Sequence, residues 1–173
     1  MELVDFIAQM TESTRAAMLR VTANLTQEEA AWRAGYGANP VGFLLWHVGR
    51  TQDRFYNQVI TSGPQIWEKN GWYSKLKLPL RDTGNSYTPE QVESFLVPEL
   101  KQLFAYMDEV QQSSLQIIRT LDPKRLQEVP VPERPDMTVL NFMRQHIAHE
   151  NQHIGAMEYI LGLARSHAHN PVQ

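Results

Sequence analysis

Apolar residues recur every three or four positions along most of this chain, which is the spacing of helices that bury one face. Leu3, Ile7, Met10, Ala17, Met18, Val21 and Leu25 form one stripe and predict a first helix from about Leu3 to Leu25. Thr26 with Glu29 is a capping-box pattern and predicts a short helix through Trp32. The turn-rich AGYGANP ends it. Asn39 as N-cap and Pro40 at the first helical position then open a second long helix to about Ser62, with Phe43, His47, Thr51, Phe55 and Val59 on its inner stripe.

Residues 63–87 read as a long connection holding two of the four tryptophans, and connections of that length inside a domain tend to carry function. Thr88, Pro89 and Gln91 cap a third helix, which Pro98 interrupts or kinks before it resumes to about Leu121. Leu100, Leu103, Phe104, Met107, Ile118 and Leu121 form its inner face. Residues 122–136 carry four prolines and read as a connection. Thr138 caps the last helix, Gly162 ends it, and residues 166–173, SHAHNPVQ, read as a flexible polar tail. Four long amphipathic helices with no strand set, and no internal repeat, predict an all-α bundle in one domain over residues 1–165.

Composition removes several classes. At 173 residues the chain is long enough for a substantial core. A net charge of −3 without a basic cluster leaves no footprint for nucleic acid. No apolar run approaches the roughly 18 residues needed to span a bilayer. The acidic residues of MELVDFIAQM do not fit a signal peptide, so the expected location is cytoplasmic. Cysteine is absent, which excludes thiolate nucleophiles and Cys-type zinc sites, so any metal here must use nitrogen and oxygen ligands.

The chemistry lies in the histidines. Four of the six stand where apolar residues belong. At about 100° per residue, His149, His153, Phe142, Met157 and Ile160 all fall within roughly 60° of His146, on the buried face of the last helix. Each buried imidazole brings two ring nitrogens that need partners. Core packing with local hydrogen bonds is the competing explanation; a shared divalent ion is the economical one. His149 and His153, at i and i+4, can chelate one ion, and His47 on the second helix is the best third ligand. Three histidines leave a coordination position open, as in catalytic sites. His146 stands one turn before His149 and reads as a supporting partner of the ligands. The segment from His149 to His153 also spells H-E-x-x-H, with Glu150 as candidate fourth ligand or general base. The longer peptidase form needs glycine at 156 and histidine at 159, whereas Ala156 and Tyr159 stand there.

NPVGFLLWHVGRTQDRF, followed about a hundred residues later by HENQHIGAMEYILGL, resembles the DinB/YfiT-like superfamily of metalloenzymes, as do the flanking LTQEEAAWR and QIWEKNGW. That resemblance implies an up-down-down-up four-helix bundle with a divalent metal, zinc, nickel or iron, held by His47, His149 and His153. It also implies a small-molecule substrate, frequent homodimers, and either S-transfer with a low-molecular-weight thiol cofactor or hydrolysis. Many relatives place a glutamine where this chain has Ala156. An open metal site needs a cleft above it. Trp67, Trp72 and Tyr73 are candidates to wall that cleft, and Arg50 or Arg54 to hold substrate carboxylates. The rival expectation is a non-catalytic metal-binding or dimerising helical scaffold of stress-response type.

Overall fold

A computed structural model describes residues 2–169, and the regular structure among them is entirely helical. α1 (Leu3–Val21) and the short α2 (Gln27–Ala31) precede α3 (Val41–Asp53), which continues as a π-helical segment, Arg54–Ile60. Two single-turn helices, α4 (Ile66–Lys69) and α5 (Trp72–Lys75), lie in the long connection. α6 (Pro89–Ser94), α7 (Leu100–Thr120), a 3-10 segment (Pro123–Gln127) and α8 (Val139–His169) complete the chain. The four long helices pack in a ring, α1 and α3 each lying against both α7 and α8. One apolar cluster is centred on Leu45, Trp46, Trp67, Tyr106, Met107 and Met157, and a second gathers Ile7, Tyr56, Ile118, Val139 and Met143.

Local chemistry explains where the boundaries fall. The capping box at Thr26 and Glu29 forms in full, as does its counterpart at Thr88 and Gln91. Thr138 Oγ1 accepts from the Asn141 N–H at the start of α8. The first helix stops at Val21 rather than Leu25, because the chain turns through Asn24 at φ 61°. At the second long helix Pro40 itself is the N-cap, one residue later than the pattern predicts, and its carbonyl accepts from Phe43 and Leu44.

Pro98 does more than kink a helix. Residues 95–99 leave helical geometry altogether, and Gln27 stitches the gap: its amide donates to the carbonyls of Val97 and Pro98 and accepts from the Leu100 N–H. Gly162 does not end the last helix. It costs about 1 kcal/mol relative to alanine, and tertiary contacts beyond it offset that: Arg165 bonds Glu29 at 2.7 Å, and the rings of His167 and Trp32 lie 5.8 Å apart. His167 is therefore part of a helix end rather than of a loose tail. Residues 170–173 of the expected tail lie outside the described residues.

Gly42 is where α3 meets the 95–99 segment. A Cβ there would stand 2.2 Å from Val97 Cγ1 and 3.1 Å from the Ala30 carbonyl oxygen. Gly42→Ala is expected to cost about 1–3 kcal/mol by overpacking. A urea midpoint unchanged from wild type would show that the 95–99 segment yields freely.

Candidate metal centre

The stripe on α3 and the buried face of α8 bring three imidazoles to one point. His47 Nε2 lies 3.1 Å from His149 Nε2, which lies 3.0 Å from His153 Nε2. Ring nitrogens of the three fall within 4.8 Å of one another, with His47 buried and the other two half-buried. His47 is oriented from behind: its Nδ1 is 2.6 Å from the Thr83 carbonyl oxygen. A carbonyl only accepts, so Nδ1 carries the proton and Nε2 keeps its lone pair toward the cluster.

Burial holds all three imidazoles neutral at pH 7. It pushes His149 and His153 down to about 4, helped by the neighbouring rings. It lowers His47 as well, against the opposing effect of the Thr83 hydrogen bond. Neutral imidazole is the metal-binding form.

The donor set fits a divalent ion. With Nε2 of His47 bare, the His149 ring nitrogen faces two others at 3.1 and 3.0 Å, and one proton cannot serve both contacts well. A cation relieves that crowding. Metal–nitrogen bonds of roughly 2.0–2.1 Å in tetrahedral geometry would separate the nitrogens by about 3.3 Å, a shift of a few tenths.

Behind the triad sits a buried polar network. Arg50, 1% exposed, donates from Nε to the Asp82 carbonyl and from Nη1 to Gln65 and the Tyr106 hydroxyl, with its guanidinium 4.4 Å from the Trp67 ring. Its counter-ion is Asp53, whose Oδ2 is 3.5 Å from Nη1. The Asp53 carboxylate also accepts from the Ile66 and Trp67 N–H groups, the Tyr106 hydroxyl and the Asn57 amide. Asp82 in turn accepts from the Gly84 N–H and the Tyr87 hydroxyl. Arg50 thus fixes the residue next to Thr83, whose carbonyl orients His47.

These placements differ from the expected substrate roles. Arg50 and Trp67 are buried in the core, at 1% and 0% exposure, and neither lines the cleft beside the histidines. Trp72 is buried too, and its Nε1–H donates to Glu109 on α7. The two tryptophans pin the long connection to the bundle; Tyr73 remains partly exposed.

Glu150 and His146 form a pair of their own. Both are buried, and His146 Nε2 lies 3.5 Å from Glu150 Oε1. Burial pushes Glu150 up to about 8, against the pull of Arg15, and pushes His146 down to about 3. The pair is therefore neutral at pH 7, despite a spacing that resembles an ion pair. Among the described residues Glu150 makes no hydrogen bond or ion pair with the three clustered imidazoles, so the H-E-x-x-H spacing does not place it as their carboxylate partner.

A cleft of about 350 Å³ opens beside the cluster. His149 belongs to both, and Thr51, Arg54, Phe55, Arg134, Phe142 and His146 contribute further walls. Arg54 and Phe55 reach it from the π-helical segment, where the wider turn re-aims side chains relative to α3. Arg134, on the proline-rich connection, carries no periodic signal that would have singled it out. Thr83 acts through its carbonyl, which no side-chain pattern encodes.

The sequence model of the DinB superfamily matches residues 10–157, and the chain belongs to that superfamily. Among solved structures, a conserved protein from Enterococcus faecalis superposes with a TM-score of 0.81 at 19% identity, covering 93% of this chain and 96% of that one. At that identity the likeness speaks to the fold. No curated protein matches the sequence. The three-histidine cluster and the superfamily together fit a metal-binding protein. Among the described residues no helix is long and apolar enough to cross a membrane.

Proposed function

We propose that this protein is a metal-dependent enzyme acting on a small molecule, either a thiol-dependent S-transferase or a hydrolase. His47, His149 and His153 would hold the ion, zinc, nickel or iron. The observation that carries this reading is the convergence of three ring nitrogens at the edge of a cleft, with the His47 ring held from its far side by a carbonyl. Bound there, a divalent ion supplies a Lewis acid that acidifies a coordinated water or thiol. The protein's own part is to keep the three donors deprotonated and to orient His47 through Thr83. A small substrate would reach the ion through the cleft that His149 lines. A low-molecular-weight thiol cofactor, the up-down-down-up order of the bundle, homodimer formation and a cytoplasmic location belong to the same proposal.

Metal analysis of untagged protein tests it. A stoichiometric divalent ion is expected, and His149→Ala should lose at least nine-tenths of it while keeping its helical circular dichroism. Wild-type protein that carries no metal, and whose melting temperature is indifferent to added zinc and nickel, would leave only the helical scaffold.

A further inference from the structure

We infer that the cleft beside the histidines takes a small organic anion, an apolar or aromatic body carrying a carboxylate or phosphate oxyanion. This deepens the small-molecule reading above and rests on it. Arg54 and Arg134 line the cleft from two different elements, and no aspartate or glutamate lines it with them. Among the residues that line the cleft, the two guanidinium groups are the fixed charges, and they set the sign of the potential there. Some surface arginines are paired, Arg119 with Glu12, Arg125 with Glu128 and Arg165 with Glu29, and others among the described residues, such as Arg20, Arg81 and Arg144, are not; what sets Arg54 and Arg134 apart is that both line one cleft. Among the described residues, neither Arg54 nor Arg134 has an ion pair or a side-chain hydrogen bond.

The rest of the wall supplies a seat for the body of the ligand. Phe55 and Phe142 meet with ring centroids 5.0 Å apart, and the Arg134 guanidinium lies 5.8 Å over Phe142. That ring contact steadies Arg134 while leaving its N–H groups unused. A planar fork of donors beside an aromatic wall matches a carboxylate or phosphate better than a neutral group does. The volume, about 350 Å³, stands at the small end for ligand sites.

The test titrates full-length protein with 3-phenylpropionate, phenyl phosphate and the neutral 3-phenylpropanamide, followed by NMR, both as purified and after chelation. Metal content is measured in every sample. At least one oxyanion should bind ten-fold or more tighter than the amide, and the tighter of the two names the oxyanion. The double variant Arg54→Gln/Arg134→Gln should abolish that preference with metal content unchanged. Equal binding of the amide, no binding of any probe, or an oxyanion preference that survives in the double variant overturns the inference; the last outcome would place the anion on the ion instead. Protein devoid of metal that still prefers the oxyanion would sink the enzymatic reading alone.

Discussion

Asp53→Ala is expected to destabilise the protein by about 3–5 kcal/mol, the range for removing one partner of a buried ion pair. Asp53 is wholly buried and Arg50 is 1% exposed, so deleting the carboxylate strands a guanidinium charge in the core. It also strands the N–H groups of Ile66 and Trp67 at the first turn of α4, together with the Tyr106 hydroxyl. Arg50→Met separates two consequences. It strands Asp53, but it also releases the Asp82 carbonyl and with it the segment that orients His47. Loss of such an outer partner typically lowers metal affinity 10–100-fold. Both variants should therefore show lower urea midpoints, whereas Arg50→Met should in addition bind zinc at least ten-fold more weakly in a competition with a chromophoric chelator. A loss below about 1 kcal/mol for Asp53→Ala would mean that water enters the network and the charge is not truly buried.

That network also shows where reading the sequence fell short. Arg50 lies in an apolar run, LLWHVGR, and a lone arginine there reads as a surface or substrate-facing residue. Its counter-ion three residues on and the 63–87 connection that wraps it become partners only in the folded chain. The same applies to Trp67 and Trp72. Their clustering in a long loop signals importance, but a loop of single-turn helices pinned inward looks the same in one dimension as one walling a cleft. The histidines were legible for the opposite reason. A spacing of four on a helix fixes relative direction with no tertiary information, and His47 on an inner stripe has few places to point in a bundle. Glu150 marks the limit of that argument. It stands beside His149 in sequence, yet one residue advances the helix by about 100°, enough to turn it to His146. Boundaries failed wherever a distant side chain decided them: Gln27 bridging the break at Pro98, and Trp32 and Arg165 carrying α8 past Gly162.

Acid should weaken the metal-free and zinc-bound proteins in parallel, leaving the zinc-dependent gap between them intact down to about pH 5. In the fold His149 and His153 titrate near 4 and His146 near 3, against an ordinary value of 6.5. Between those limits the unfolded chain takes up protons that the folded chain refuses, so stability is full above about pH 6.5 and is lost as pH falls toward 4. Glu150 acts in the other direction. Its carboxyl, held up to about 8 in the fold, gives stability that is full below 4.5 and is lost as pH rises through 8. Three histidines outweigh one glutamate on the acid side, so metal-free stability should peak near neutrality and fall by a few kcal/mol by about pH 4.5. Metal competes with protons only for the folded ligands; of these His149 and His153 stay unprotonated until about pH 4, and burial lowers His47 as well. The added stability from zinc, about 2.7 kcal/mol at a free concentration one hundred times the Kd, should accordingly hold from pH 7 to about 5 and collapse below. Thermal denaturation with and without zinc across that range measures both curves. A zinc-dependent gap that already closes through pH 6.5 would show histidines of ordinary basicity, open to water, and would remove the desolvated pocket on which the metal centre depends.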